Sequence, residues 1–284
     1  MTTPPPSIAF ALDLAQHQLT WESLLHRARL GEELGFDALW VFDHFKPLSG
    51  DPDGPCLEAY TLLAGIAAST QRIRIGALVT GMTYRHPSVL AAEAVTVDHI
   101  SGGRLNLGLG AAWFEGEHRQ LGIDFPSTGE RARRLEEGIV VIRKLMTEDG
   151  SEFPGRHYRL DGATYRPRPV QAPHPPIWIG ASGEKLMLPI VARQADVWHH
   201  SGSVDEMVRK SRLLDHLAVQ AGRDPASIGR AGSVGLSQPW DAVRFRIEGL
   251  AEAGITHINV DWPTEGEERV REFAATVIPD FRTA

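Results

Sequence analysis

The sequence predicts an α/β protein of the closed (β/α)8, or TIM-barrel, type, with an insertion between the fourth and fifth strands. Three observations lead there. Short apolar runs alternate eight times with longer stretches of helical periodicity. Several of those runs end in polar or glycine-rich segments, as barrel strands do where they build a site. A length of 284 residues also suits one barrel of ordinary size. Repeated βα units imply parallel strands with right-handed crossovers. An open doubly wound sheet is the competing arrangement, but no G-x-G-x-x-G follows the first strand.

The first strand is Ile8 to Leu12. A helix capped by Thr20 follows, with Trp21, Leu24, Leu25 and Ala28 on one face and Gly35 at its end. The second strand, Ala38 to Phe42, empties into Asp43-His44-Phe45. A loop rich in Pro, Gly and Asp leads to a helix over Leu57 to Ala68. The third strand, Ile73 to Val79, opens into Thr80 to His86. Pro87 suits the first position of the next helix, whose inner stripe includes Leu90, Ala94 and Val97. Gly102-Gly103 releases the fourth strand, Leu105 to Leu109. It stops at Gly108-x-Gly110-Ala111-Ala112, small residues that let a ligand approach the main chain. Trp113, Glu115, Glu117 and His118 come directly after.

The next helix runs from Ser127 to Met146, with Leu135, Ile139, Ile142 and Met146 inward. Its charges, including Arg131, Arg133, Arg134, Glu136 and Glu137, read as a solvated face. Residues 149–176 break the alternation with a hairpin and an extended connector, an insertion within one domain spanning 1–284. The fifth strand, Ile177 to Gly180, leads into a helix opened by Ala181-Ser182-Gly183. The sixth, Ala195 to Trp198, ends in His199-His200, and Ser203 to Glu206 form a capping box. The seventh strand lies near Ser233 to Leu236, followed by a helix using Val243, Ile247 and Leu250. Thr256 to Val260 is the eighth, and a last helix covers Glu267 to Val277.

Charge and composition narrow the function. Lys+Arg 29 against Asp+Glu 36 gives −7, which argues against a phosphate-tracking nucleic-acid surface. The lone Cys56 excludes an internal disulfide framework. Met1 to Ser7 lack the basic and apolar regions of a signal peptide, and no apolar span is long enough to cross a bilayer. A soluble cytoplasmic protein acting on a small molecule is expected, without nucleic-acid or membrane partners and paired as a homodimer.

In a barrel, residues just past each strand converge on one mouth. His44 suits proton transfer near neutral pH, and the adjacent Asp43 could orient it or simply form a turn. Leu78-Val79-Thr80-Gly81 reads as a bulge against a planar ring or as an ordinary strand end. Gly180 to Gly183, with Lys185, joins a strand to a helix and could seat an anion on exposed N–H groups. Arg85-His86-Pro87 is a helix start or an anion contact. His199 and His200 point to opposite faces of a strand, so no metal site is expected from them and one lines the pocket.

The chain resembles the bacterial-luciferase-like family of flavin- and deazaflavin-dependent oxidoreductases. The likeness rests on Leu39-Trp-Val-Phe-Asp-His-Phe, Gly76-Ala-Leu-Val-Thr-Gly-Met-Thr-Tyr-Arg-His-Pro, Ser101-Gly-Gly-Arg-Leu-Asn-Leu-Gly-Leu-Gly-Ala-Ala-Trp and Pro175-Pro-Ile-Trp-Ile-Gly-Ala-Ser-Gly-Glu-Lys. It is nearest to the branch using coenzyme F420, a deazaflavin with a phosphate-bearing tail. The resemblance implies a two-electron oxidoreductase with His44, beside Asp43, as the proton-handling residue. It implies a ring backed by a cis peptide at Leu78–Val79, with Thr80 next to it. Gly180, Ala181, Ser182 and Gly183 would hold the phosphate, and Gly110, Ala111, Ala112 and Trp113 would flank ring or tail. An anionic tail would fit a basic rim of Arg85, Lys185 and Arg193. FMN with monooxygenase chemistry is the alternative, and a non-catalytic flavin-binding protein a third. Trp113 and Leu48 stand where the sugar-phosphate dehydrogenase branch has glutamate and tryptophan, so sugar-phosphate oxidation is not implied. The acid partner there is Glu115 or none.

Overall fold

The computed structural model describes residues 8–282, so Met1 to Ser7 lie outside it. In chain order the strands are β1 (Ala9–Asp13), β2 (Ala38–Val41), β3 (Arg74–Ala77), β4 (Thr80–Gly81), β5 (Leu105–Gly110), β6 (Ser151–Pro154), β7 (Arg159–Ala163), β8 (Ile177–Gly180), β9 (Val197–His199), β10 (Gly229–Val234) and β11 (His257–Val260). All but β6 and β7 pair in parallel in one sheet. It closes because β1 pairs with both β2 and β11, and β3 with both β2 and β5. β4 continues the β3 position, which gives eight staves. The antiparallel hairpin β6–β7 lies within the expected insertion.

The helices are α1 (Trp21–Glu33), α2 (Ala59–Ser69), α3 (Pro87–Ser101), α4 (Glu115–Leu121), α5 (Thr128–Thr147), α6 (Met187–Gln194), α7 (Val204–Gln220), α8 (Trp240–Glu252) and α9 (Glu267–Thr276). Their starts follow local chemistry. Thr20, Ser127 and Ser203 each accept a hydrogen bond from an N–H in the first turn of α1, α5 and α7. Pro87 opens α3, and Gly102 closes it at φ 66°, where a side chain would be strained.

Strand alternation sorts the core into two. Leu12, Leu39, Ile75, Leu107, Ile179, Trp198 and Ile258 face outward and are buried under the helices. Each such side chain contributes about 1.5–3 kcal/mol. Ala11, Ala38, Trp40, Trp178, Val197 and Ala231 form a separate cluster inside the barrel, and Leu78 packs on it from above. The small alanines leave a cavity of about 200 Å³ in the lower barrel.

Four expectations need correcting. The third strand is interrupted at a cis Leu78–Val79 peptide and resumes as β4. β10 begins at Gly229 and ends at Val234, because Gly229 pairs with Val197 although Gly229-Arg230 carries no apolar signal. α4 occupies a stretch read as loop, too short for periodicity to show. The helix after β8 starts at Met187, leaving Ala181 to Gly183 as a loop.

Candidate active site

The strand ends meet at one mouth, divided into two lobes that share Asp13 and Leu78. The first, about 580 Å³, is lined by Phe42, His44, Leu48, Val79, Gly81, Tyr84, Gly110 to Trp113, Thr128, Arg131 and Gly180 to Gly183. The expected residues His44, Leu78, Val79, Gly110, Ala111, Ala112, Trp113, Gly180, Ala181, Ser182 and Gly183 therefore come together. Thr80 and Asp43 do not line it. Thr80 is buried with its hydroxyl 2.9 Å from Tyr60 Oη.

Asp43 and His44 point apart, as successive residues of extended backbone do. Both Asp43 oxygens accept from Arg85 Nη1, at 2.9 and 2.8 Å, and Oδ2 also takes the Gly81 amide at 3.3 Å. Burial pushes the Asp43 carboxyl up, and the Arg85 guanidinium opposes the shift. Arg85 is further engaged by Glu58 and, at 3.1 Å, Glu93. Asp43 thus braces the loop beside the bulge and does not touch His44. The basic rim also fails, because Arg85 is enclosed by carboxylates and Arg193 pairs with Glu136 at 2.7 Å.

The partner of His44 is Glu117, 73 residues away, and neither Glu115 nor Asp43. The first turns of α4 swing its fully buried carboxylate inward. Oε1 accepts from the Phe45 and Lys46 amides at 2.6 and 2.9 Å. Oε2 lies 3.0 Å from His44 Nδ1, within hydrogen-bond distance, and accepts from Tyr84 Oη. Burial alone would raise Glu117, but the His44 and Tyr84 hydrogen bonds and the Phe45 amide outweigh it. The carboxyl is held below its usual range. Burial and the adjacent Glu117 carboxylate push the Tyr84 hydroxyl far up, and the same pair of causes lifts the Cys56 thiol to about 11. His118, also buried, stacks on Tyr84 at 4.6 Å and sits 2.7 Å from Thr83 Oγ1. It is a wall of the corner rather than a pocket group.

The glycines at the ends of β5 and β8 have a reason other than ligand approach. A Cβ on Gly110 would lie 2.6 Å from Val79 Cγ2, and one on Gly180 would lie 3.0 Å from Val79 Cγ1. Gly108 is tighter still, 2.0 Å from the Ala77 carbonyl. The close approach is made by the bulge itself.

Arg131, assigned to a solvated face, is instead 9% exposed and reaches the first lobe. It donates to the Ala111 and Pro126 carbonyls at 3.2 and 2.5 Å and stacks its guanidinium 3.8 Å over Phe125. The Ser182 loop opposite is tied down by Lys210, whose Nζ donates to the Ser182 carbonyl at 2.7 Å, and by Trp198 Nε1 donating to the Ala181 carbonyl at 2.9 Å.

The second lobe, about 560 Å³, is built from β9, β10, β11 and α8. His199 lines it, 3.0 Å from Ser233 Oγ, and burial with the neighbouring His200 pushes its pKa down to about 4. His200 turns away to Glu206 and Lys210. Burial raises Asp13 to about 6, with Asp261 adding to the shift, and burial raises Asp261 as well. Arg246 spends Nε and Nη2 on the carbonyls of Ser233 and Gly202. Asn259 Oδ1 is buried without a hydrogen-bond partner among the described residues. No cluster of three or more His, Cys, Asp or Glu among the described residues could hold a metal ion. No described helix is long and apolar enough to cross a membrane.

The mouth of this barrel combines a cis bulge, a histidine beside a buried carboxylate and a glycine-rich rim. The chain belongs to the luciferase-like monooxygenase family, which residues 7–237 match. Over 182 residues it is 37% identical to an F420-dependent glucose-6-phosphate dehydrogenase of Nakamurella multipartita, covering 64% of this chain and 52% of that one. It is 26% identical to an FMNH(2)-dependent dimethylsulfone monooxygenase of Pseudomonas putida, covering 78% and 59%. An F420-dependent secondary alcohol dehydrogenase in complex with an F420-acetone adduct shares the fold at TM-score 0.85 and 18% identity, over 98% of this chain and all of that one. The chain spans about half the length of the glucose-6-phosphate dehydrogenases it matches.

Proposed function

We propose that the chain is a coenzyme F420-dependent oxidoreductase that exchanges hydride with a small, uncharged, hydroxyl- or carbonyl-bearing molecule. The observation that carries this reading is the first lobe. An apolar bulge (Leu78, Val79) faces His44, and Arg131 with the Ser182 loop lies at the rim. That donor set fits a flat ring with an anionic tail: Nη2 of Arg131, which the Ala111 and Pro126 carbonyls do not engage, the Ser182 hydroxyl and main-chain N–H groups for the phosphate. Lys185 stands beside the same loop. When bound, the deazaflavin supplies the two-electron chemistry.

The chain's own residues do the rest. Leu78 and Val79 back one face of the slot, while Gly110 to Trp113 form its flank. Trp113, stacked 5.2 Å from Phe114, shields His44 from solvent. His44 Nε2 takes the hydroxyl proton of an alcohol as its carbon gives up hydride, or returns a proton to the oxygen in the reverse direction. Asp43 supports this as a brace of the loop. In the second lobe, the carboxylates of Asp13 and Asp261 offer acceptors against a single guanidinium in its lining, that of Arg246. Such a surface favours hydroxyl donors and repels a phosphate, so glucose 6-phosphate is expected to be a poor ligand.

The relative that uses FMNH(2) supports a second reading, FMN with monooxygenase chemistry. Titration with each coenzyme, followed by quenching of the seven tryptophans, separates the two. Saturation by F420 with weak or no response to FMN is the expected result. The reverse order moves the chain to the monooxygenase reading, and saturation without reduction by any donor leaves a flavin-binding protein. The proposal includes a single cytoplasmic domain over 1–284 that pairs as a homodimer, with the α2–α3 groove lined by Ala64, Val89 and Ala92 as the contact. Sedimentation at two concentrations checks it.

A further inference from the structure

Glu117 has the geometry of a tautomer lock. Its carboxylate is ionised at neutral pH, because three donors of definite direction surround it, two main-chain amides on Oε1 and Tyr84 Oη on Oε2, with His44 Nδ1 3.0 Å from Oε2. An ionised carboxylate only accepts. His44 Nδ1 must therefore carry the hydrogen, and in the singly protonated ring Nε2 is a bare acceptor. Among the described residues Nε2 has no hydrogen-bond partner, and His44 lines the first lobe. Phe42, Trp113 and Phe114 pack around the imidazole at 5.7, 5.4 and 5.9 Å and hold its plane.

We propose that Glu117 is the positioning residue of this site, acting only through His44: it dictates the Nδ1–H tautomer and so presents Nε2 to the substrate as a proton acceptor. This rests on the oxidoreductase reading for its consequence in turnover, but not for the tautomer itself.

Glu117→Gln inverts the arrangement without changing its shape. The amides of Phe45 and Lys46 demand an oxygen, so the glutamine carbonyl must face them. Its NH2 then faces His44, and Nδ1 can only accept. The hydrogen moves to Nε2, and the pocket meets a donor in place of a base. A wrong tautomer at a catalytic histidine costs about 10⁴-fold in a serine protease.

The test uses the full chain, coenzyme-free, labelled with ¹⁵N-histidine, with the His44 signals assigned by loss in His44→Asn. Two-bond ¹H–¹⁵N spectra at pH 7.5 are expected to show His44 as Nδ1–H in the unmodified chain and as Nε2–H in Glu117→Gln. Tyr84→Phe, which removes a donor but keeps the carboxylate, should retain Nδ1–H. An Nε2–H signal in the unmodified chain overturns the proposal even if no variant folds. So does an unchanged tautomer in folded Glu117→Gln. With coenzyme added, kcat of Glu117→Gln should drop at least about 10²-fold with KM within about threefold. A correct tautomer pattern with no turnover in any form would instead strike at the oxidoreductase reading.

Discussion

The two lobes of the mouth are of nearly equal size yet opposite in finish. Behind the first, the supporting polar groups are paired within the protein: Glu117 has four partners, Asp43 three hydrogen bonds, and Arg131 two carbonyls, with His44 Nε2 the atom left facing the lobe. In the second, Asp13 receives one main-chain amide, and Asn259 Oδ1 has no partner among the described residues. Buried polar atoms left open cost about 1–3 kcal/mol each, so they persist where something else engages them. The paired lobe is a rigid mould, whereas the open one is a set of acceptors for an incoming molecule.

The sharpest way to break this contrast is His44→Ala. If the first lobe only binds, turnover should survive; the expected result is a loss of about 10²–10⁴-fold in kcat with coenzyme affinity within a few-fold, read by stopped-flow reduction and fluorescence titration. Next comes the rigidity of the mould. Gly108→Ala sets a Cβ 2.0 Å from a main-chain carbonyl that cannot rotate away. A loss of about 3 kcal/mol or more is expected, at the upper end of overpacking costs, measured by urea unfolding.

The open lobe predicts the reverse sign. Asp13 titrates near 6 in the fold and near 3.8 when unfolded, so the folded chain binds the extra proton between those values. Stability therefore falls as pH rises from about 4 to about 6. Asp13→Asn should remove that slope and stabilise the chain at pH 7 by about 1–3 kcal/mol, seen in thermal melts across that range. An unchanged slope would mean that Asp13 is already paired. The smallest expected effect is at Arg131→Leu. One charge-assisted contact to the coenzyme tail is worth roughly tenfold in affinity or somewhat more, with a weaker salt dependence.

Most of the fold was legible because it is written in period. Eight apolar runs alternating with helical stripes place the staves, and caps such as Thr20 and Pro87 mark helix starts to within a residue or two. What failed was local. Gly229-Arg230 opens a strand only because neighbouring strands offer it a ladder. Arg131 sits in a run of charges on α5, and nothing in that run tells which one turns under Phe125. Glu117 stood in view next to Glu115, yet its partner lies on another loop, and no spacing rule connects them. Asp43 shows the converse: adjacency to His44 suggested a pair, but the extended backbone sends the two side chains to different neighbours.

The Glu117 carboxylate has a further consequence for how this scaffold can be altered. One buried anion on α4, beyond β5, rivets the main chain and imidazole after β2 and the tyrosine beyond β4, so those three segments are interchangeable only as a set. Across the barrel, the turns after β10 and β11 are held differently: Arg269 donates to the Leu236 carbonyl at 2.9 Å and to that of Gln238, and Ser237 donates to Glu265 at 2.7 Å. Most of these bonds are exposed and centre on the Leu236, Gln238 and Ser237 positions, so their neighbours are where new specificities are best sought.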